Sequence, residues 1–323
     1  MATIRDVARI SGYAISTVSR VLNHKGRVAP QTRRKIEAVM DELDYVPNGV
    51  AQDLSRGATN KIGVVLPHVR HPYFAQILKG VIAAAVTTHY NVVLLPSEYD
   101  RELENHYLEQ LRRKEFDGLI FTSQRISLTQ LEKYTQYGTI VCCWDPGEHQ
   151  INAVYSDRAP AYRSAFEWLQ QHHCQQVGFL FSRNSQVSAT SSSTVRTFQE
   201  VYGRLPQADQ VIADVTTPED GYRAAAKLAQ LPHLDSIFTN GDDVAAAVRQ
   251  YYLDHQLKVP VLIGQEHQMS GMILGIPTID HHFDRLGRQA FQMVIAADEP
   301  VQKIKIESEF IAQNHFSARY SAR

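Results

Sequence analysis

From Lys61 onward, short apolar runs rich in β-branched residues alternate with amphipathic helical segments. Runs that are apolar throughout are typical of parallel strands, which are buried on both faces. The predicted strands form a first series and a second series: 62–67, 92–96, 119–122 and 139–143, then 177–181, 210–214, 236–240 and 260–264. This alternation predicts an α/β fold with two parallel sheets, each covered by helices on both faces.

The two series predict a body of two similar lobes over residues 61–323, dividing near Asp157, with a return crossover near residue 285. Ligands of open α/β sheets bind beyond the carboxyl ends of the strands. In a two-lobed body those ends face a common cleft. The body is therefore expected to bind a small ligand between its lobes.

The first 47 residues differ from the body because they are predicted to be all helical. In residues 3–23, apolar positions recur at helical spacing on either side of a break at Gly12. Two short helices joined by a tight turn indicate a helix-turn-helix headpiece, although an ordinary helical hairpin has the same pattern. A third helix is predicted to begin near Pro30.

Charge supports contact between this headpiece and a polyanion. Residues 1–36 carry eight Lys or Arg and one acidic residue, whereas the rest of the chain carries 25 basic and 33 acidic residues. The second helix would present Ile15, Ser16 and Arg20 to base edges, with Thr17 and Ser19 donating hydroxyls to phosphates. Asn23, at the end of this helix, is also a candidate DNA contact. The predicted partner is double-stranded DNA.

Residues 48–60 read as a linker when taken alone. Asn48 is a good N-cap, and the following residues could make about two helical turns, but so short a helix seldom holds in water.

The chain has no apolar run approaching the ~20 residues of a membrane span and no signal peptide at its start, so a cytoplasmic location is expected. Its three cysteines have no metal-site or disulfide spacing and are expected to be buried thiols.

The run TVSRVLN and the stretch Tyr45-Val46-Pro47-Asn48 resemble the lac/galactose repressor family of bacterial transcriptional regulators. The resemblance extends over essentially the whole chain. It implies a body like that of periplasmic sugar-binding proteins. It also implies that residues 48–60 form a hinge helix that orders on operator DNA, with Ala51 and Leu54 at the minor groove. A repressor of this type binds a pseudo-palindromic operator, and the lack of C-terminal leucine heptads favours a homodimer.

Residues that follow the predicted strands are candidates for the ligand cleft. They combine aromatic rings with carboxylates, amides and an arginine, a mixture that suits a sugar or a sugar derivative. For any one of them, an ordinary loop or helix-cap role is equally compatible with the sequence. The candidates are His71, Tyr73, Phe74, Ser97, Thr122, Asp145, Arg196, Asn240, Asp242, Glu266 and His281.

The resemblance bears on four of these candidates. Arg196 matches the arginine of the family's effector loop, and Asp242 matches the aspartate of a strand-to-helix turn, where it could equally cap the helix. Glu266 replaces the usual aspartate. The pair His281-His282 invites a metal site, but adjacent residues point different ways, so no metal and no cofactor is expected.

The favoured function is a DNA-binding repressor controlled by a small ligand that induces or corepresses. The alternative in the same class is a catabolite-control regulator whose corepressor is a phosphorylated carrier protein. A transported-sugar binding protein would share the body but not the cationic headpiece. An enzyme is not expected, because the sequence has no phosphate-binding glycine loop, nucleophile elbow or metal cluster.

Overall fold

The structure is a computed structural model that describes residues 2–23, 27–49, 51, 53, 57–69, 71–184, 186, 188–296 and 299–312. It has an N-terminal helical headpiece and a body of two α/β lobes. The predicted fold class is confirmed. The Leu54 assignment lies outside the described residues, whereas Ala51 is described and exposed.

The headpiece contains α1 (Ile4–Ser11), α2 (Ile15–Leu22) and α3 (Pro30–Glu42). A capping box between Thr3 and Asp6 begins α1. Gly12 ends it with φ 75°, a left-handed conformation that favours glycine. The three helices bury a small apolar core: Val7, Ala8, Val18, Val21, Ile36 and Val39. No side-chain cap begins α2 or α3, where Ala14 and Ala29 occupy the N-cap positions.

The first lobe is built on a six-stranded parallel sheet with the strand order β11-β5-β4-β3-β1-β2. Its strands are β1 (Lys61–Leu66), β2 (Asn91–Pro96), β3 (Gly118–Phe121), β4 (Thr139–Cys142), β5 (Asn152–Asp157) and β11 (Lys303–Glu307). Its helices are α4 (Pro72–Ala85), α5 (Arg101–Arg112), α6 (Leu128–Tyr134) and α12 (Phe283–Ile295). Two apolar clusters fill the two faces of the sheet, as a doubly covered parallel sheet requires.

The second lobe has the strand order β12-β10-β9-β8-β6-β7. Its strands are β6 (Val177–Leu180), β7 (Val211–Ile212), β8 (Ser236–Phe238), β9 (Val261–Gln265), β10 (Thr278–Asp280) and β12 (Glu309–Ile311). Its helices are α7 (Ala159–Gln171), α8 (Ala189–Tyr202), α9 (Pro218–Leu228), α10 (Asp242–Asp254) and α11 (Met269–Leu274). The sheet is parallel except at its edge, where β12 runs antiparallel to β10.

The chain passes between the lobes after β5, after β10 and after β11. At the third passage, the extended segment over residues 303–311 does not form one continuous strand. That segment is divided at Ser308, whose backbone N–H donates to the carbonyl of Asp157 at 3.0 Å. The residues before Ser308 join the first sheet and those after it join the second, so one extended segment serves both lobes.

Helices α4 and α12 pack closely across the first lobe. A Cβ atom on Gly80 would lie 2.0 Å from the carbonyl oxygen of Asp284, and one on Gly287 would lie 2.0 Å from that of Ile77. Both positions therefore require glycine. This contact fixes the N-terminus of α4, which carries several of the predicted ligand residues.

Candidate ligand cleft and DNA-binding surface

The outer face of α2 is the candidate DNA-reading surface. Ile15, Ser16 and Arg20 are exposed, whereas Val18 and Val21 point into the headpiece core. Ile15 is 46% exposed, a large apolar side chain left open where a thymine methyl could contact it. Thr17 and Ser19 are half-buried beside this face.

Asn23 has a structural use at the end of α2. Its side-chain amide donates to the carbonyl of Ser19 at 3.0 Å and to the Ser19 hydroxyl at 3.2 Å. These bonds help to end the helix, because the last helical carbonyls lack partners within the helix. Its direct contact with DNA stays a prediction.

Aromatic side chains of the first lobe gather beyond β1 and β2. The ring of Phe74 is in edge contact with His68, His71 and Tyr73, with ring centroids 5.3, 6.2 and 4.8 Å apart. Tyr99, after β2, is in edge contact with His68 at 6.2 Å. This cluster is the aromatic wall of the first lobe beyond the strand ends, and Phe74 within it is 5% exposed and belongs to the core of the lobe.

Two of the predicted first-lobe ligands direct their hydroxyl groups into the lobe instead. The Tyr73 hydroxyl donates to the carbonyls of Thr122 and Cys143 at 3.1 and 3.4 Å, and burial raises its pKa far above the usual value. The Thr122 hydroxyl donates to the carbonyl of Val65 at 3.0 Å and is buried. Both side chains thus hold the end of the sheet together, and only the Tyr73 ring remains available to the cleft.

Ser97 and Asp145 also follow strands, as predicted, but they differ in exposure. Ser97 is 1% exposed, and its backbone N–H donates to the carbonyl of Leu66 at 2.8 Å. Asp145 is exposed and accepts the backbone N–H of Gly147 at 2.9 Å, which stabilises a turn after β4. Both contacts lie within the first lobe, so neither joins Ser97 or Asp145 to the second lobe.

Glu266 is the predicted ligand that the structure brings into contact with the first lobe. Its carboxylate oxygen Oε1 lies 3.5 Å from Nδ1 of His71, the N-cap residue of α4. Glu266 is 5% exposed, and burial followed by the nearby charge of Asp242 raises its pKa well above the usual value. Burial, with the charges of His68 and Arg158, lowers the pKa of His71 to about 4. His71 is therefore neutral at pH 7, and the shift at Glu266 favours its protonated form.

His281 lies at the second passage between the lobes, within a buried polar network. Its ring nitrogens lie 2.8 Å from the Ser308 hydroxyl and 3.0 Å from Oε1 of Gln265. The neighbouring His282 contacts Asp280 instead, at 3.2 Å, so the two histidines serve different partners. Burial lowers the pKa of His281 well below its usual value. The ring is neutral and joins the segments that cross between lobes.

Asp242 is placed inside the second lobe, where its carboxylate is fully buried, and its role as a ligand stays a prediction. It is 0% exposed, and its carboxylate accepts the backbone N–H of Gln268 and the hydroxyl of Thr278, both at 2.6 Å. Gly264 provides the necessary space, since a Cβ there would lie 1.9 Å from Oδ1 of Asp242. The strand-to-helix turn directs the Asp242 side chain into the lobe. There its carboxylate joins α10 to the loop after β9 and to β10.

In the described part of the chain, Asn240 and Arg196 form no hydrogen bond or ion pair with Glu266. The Asn240 amide donates to the carbonyl of Val215 at 2.7 Å, while its Oδ1 is buried without a partner among the described residues. Arg196 is exposed on α8, where it lines a cavity of about 250 Å³ with Gln186, Ser192, Val195 and Gln199. In the part of the chain that is described, Arg196 forms no hydrogen bond or ion pair with the cleft wall.

Arg158 is a cleft residue that the sequence reasoning missed. It follows β5 directly, so the rule that identified the other candidates could have identified it too. Its guanidinium lies 5.5 Å from the centroid of the Phe283 ring. Burial lowers its pKa, but Tyr162, Tyr73 and Glu266 more than offset this, so the pKa is raised and the group is charged.

Two regions of the chain match known families. Residues 3–48 match the bacterial regulatory proteins of the lacI family, and residues 59–314 match the periplasmic binding proteins and sugar binding domain of LacI family. Catabolite control protein B of Bacillus subtilis (strain 168) is 34% identical over 311 residues, which cover 96% of this chain and 99% of that protein. Among the described residues, no helix is long and apolar enough to cross a membrane.

Solved structures share the fold. The lac repressor dimer bound to operator and the anti-inducer ONPF superimposes with a TM-score of 0.79 at 19% identity, covering 97% of this chain and 98% of that chain. A LacI family regulator from Lactobacillus casei with bound glucose gives a TM-score of 0.69 at 20% identity. The match covers 79% of this chain and 99% of that chain. The chain therefore belongs to the lacI family of bacterial regulatory proteins, and it is a DNA-binding transcriptional regulator.

Proposed function

We propose that this protein is a repressor whose affinity for operator DNA is controlled by a small ligand, a sugar or a sugar derivative, bound between the two lobes. The observation that carries the proposal is the contact of Glu266 with α4, because it joins the lobes beside a wall of aromatic rings. A ligand that fits between these surfaces would favour one relative arrangement of the lobes by its differential affinity.

The linker has a direct connection to the first lobe. The carboxylate of Asp117 accepts the backbone N–H groups of Thr59 and Asn60, both at 2.8 Å, and the Thr59 hydroxyl at 3.0 Å. A change in the position of the first lobe would therefore move the chain that leads to the headpiece. Coupling of this kind typically amounts to ~1–3 kcal/mol. We expect the ligand to release operator, with corepression as the opposite outcome.

A homodimer is part of the proposal. Leu94 on the edge strand β2 is 45% exposed, and Ile82 on the neighbouring α4 is 47% exposed. In the second lobe, adjacent helices α10 and α11 expose Leu253, Met269 and Ile273 by 44%, 49% and 65%. Exposed apolar patches on both lobes favour an interface with a second copy, which would present two α2 helices to a pseudo-palindromic operator.

Selection of operator from random DNA, followed by footprinting in the presence of a sugar panel, tests the proposal. We expect a pseudo-palindromic site protected over two half-sites and a loss of protection with one class of sugar. Protection of a single half-site would contradict the dimer. A regulator of this kind would act in the cytoplasm, where bacterial operators lie.

A second candidate function follows from the relative named catabolite control protein B, which is 34% identical to this chain. In this version the corepressor is a phosphorylated carrier protein, and no free sugar changes operator affinity. Operator titrations with a free sugar and with a phosphorylated carrier protein separate the two functions.

A further inference from the structure

Arg158 lies where the chain first passes from one lobe to the other, at the base of the proposed cleft and hence at its floor. It precedes α7 of the second lobe, and its guanidinium lies over the ring of Phe283, the first residue of α12 in the first lobe. Its charge influences the titration of His71 and His281. Arg158 is therefore enclosed by groups from both lobes.

This cation has no acidic partner in the protein. Within the described residues, no carboxylate oxygen lies within 4.0 Å of the Arg158 guanidinium. An arginine remains charged at every physiological pH, and a charge removed from water without an opposite charge beside it is costly. Arg158 is half-buried, and its partner in a side-chain hydrogen bond is the neutral hydroxyl of Tyr162. Arg163, five residues further along α7, shows the ordinary arrangement, because it pairs with Glu200 on the surface.

The other titratable groups of the floor do not balance this charge. Glu266 is the nearby acid, but its Oε1 lies 3.5 Å from Nδ1 of His71, and neither of its carboxylate oxygens lies within 4.0 Å of the Arg158 guanidinium. Burial also raises the pKa of Glu266, which favours its uncharged form. His71 and His281 have lowered pKa values and are neutral. Of the four groups, Arg158 is thus the one whose pKa shift favours the charged form, and it has no ion-pair partner within 4.0 Å among the described residues.

We propose that the effector carries an anionic group, a phosphate or a carboxylate, and that Arg158 binds it. The proposal rests on the proposed function, since it concerns the ligand of the same cleft. A guanidinium offers paired N–H donors that match the oxygens of either group, whereas a neutral sugar would leave the charge unbalanced. His68, whose Nδ1 is buried without a partner among the described residues, offers a further hydrogen bond beside Tyr99.

Inorganic phosphate and acetate test the site without knowledge of the ligand. The melting temperature of the full chain is measured in each anion at up to 50 mM, with chloride holding the ionic strength constant. Phosphate or acetate should raise it by about 2 °C or more, as a ligand of the folded state does. The basic headpiece also binds anions, so the measured quantity is the difference between the wild type and Arg158→Gln.

Arg158→Gln should lose the cleft contribution, Arg158→Lys should retain part of it, and the control Arg163→Gln should behave as the wild type does. The anion that gives the larger difference identifies phosphate or carboxylate. Equal shifts in the wild type and in Arg158→Gln, or no shift in either, would overturn the proposal. The stability of each variant without added anion does not affect the comparison, because each anion-induced shift is measured against the same variant in chloride.

Glucose, glucose 6-phosphate and glucuronate extend the test to sugars. In isothermal titration, at least one charged sugar should bind the wild type 10-fold or more tightly than glucose, and Arg158→Gln should remove this preference. Tighter binding of glucose, unchanged in Arg158→Gln, would refute the anionic effector while leaving a ligand-controlled repressor intact. Operator binding, measured in parallel, reports separately on the proposed function. If none of the three sugars binds, the inorganic anions decide.

Discussion

The side-chain amide of Gln76 donates a hydrogen bond of 2.9 Å to the backbone carbonyl of Glu266, which joins α4 of the first lobe to the loop after β9 of the second. Glu266 adopts φ 81°, a left-handed conformation that is unusual for a residue with a side chain. The strained backbone presents its carbonyl to Gln76 and its carboxyl group to His71. This pair therefore joins the two lobes in the arrangement that the structure shows.

Gln76→Ala should shift the protein toward a more open arrangement. Removal of one hydrogen bond costs about 0.5–1.5 kcal/mol, which corresponds to a change of roughly 2–10-fold in the ratio of closed to open molecules. Small-angle scattering should show a larger radius of gyration. Gln170→Ala is the matched control, because its amide donates to the carbonyl of Val201 at 3.1 Å within the second lobe. Identical scattering from the two variants would contradict the prediction that the Gln76 hydrogen bond holds the lobes together.

Arg20→Ala should relax base preference at one position of each half-site. Arg20 is exposed on the outer face of α2, where a bidentate contact to guanine contributes about 1–3 kcal/mol of discrimination. Arg9→Ala removes the same charge from α1 and should weaken binding to all sequences equally. Binding to a library of operator variants measures both effects. A uniform loss in Arg20→Ala would identify Arg20 as a phosphate contact.

Asp242→Asn should change how stability depends on pH. Burial raises the pKa of Asp242 to about 7, from a usual value of 3.8, so the folded state takes up a proton between these values. The wild type should lose stability as pH rises from about 4 to about 7, by up to about 1.4 kcal/mol per pH unit from this group. Asn cannot ionise, so the stability of Asp242→Asn relative to the wild type should increase as pH rises over this range.

Urea unfolding at pH 5 and pH 8 measures this difference. Asp220→Asn is the control of opposite sign, because backbone hydrogen bonds from Thr216 and Thr217 help lower the pKa of Asp220 to about 2. Its stabilising effect is lost only as pH falls below about 4, so the control should show no change between pH 5 and pH 8. A constant difference between Asp242→Asn and the wild type would mean that Asp242 is ionised throughout.

The fold could be predicted from the sequence because two periodicities specify it. Apolar runs between amphipathic helices predict doubly covered parallel sheets, and the break at Gly12 predicts the turn of the headpiece. The passage at Ser308 was not predictable in this way. A strand pattern describes one extended segment, and periodicity contains no information on which sheet each half joins.

The cleft was predicted less completely than the fold. The strand-end rule identifies the neighbourhood of the site, but it does not give the direction of each side chain. It therefore included Asp242 and Thr122, whose polar atoms are satisfied inside a lobe, and it was not applied to Arg158. The contacts of Glu266 with His71 and Gln76 depend on how the lobes meet, which no local pattern encodes.

Asp117→Asn should weaken operator binding without weakening nonspecific DNA binding. The carboxylate of Asp117 holds the chain at Thr59 and Asn60 against the first lobe, and an amide nitrogen cannot accept those N–H groups. The loosened linker would hold the headpiece less firmly in position, so ordering it on operator would cost more conformational entropy. Fluorescence anisotropy with operator and with random duplexes measures the two affinities.

The second lobe supplies a matched control at the equivalent place. Asp235 precedes β8 as Asp117 precedes β3, and its carboxylate accepts the backbone N–H groups of Gln175 and Gln176 at 2.7 and 2.8 Å, just before β6. Asp235→Asn should therefore destabilise the fold about as much as Asp117→Asn. Asp235 lies far along the chain from the linker, so its replacement should leave operator affinity unchanged. Equal losses of operator affinity in the two variants would show that general destabilisation, and not the linker, is responsible.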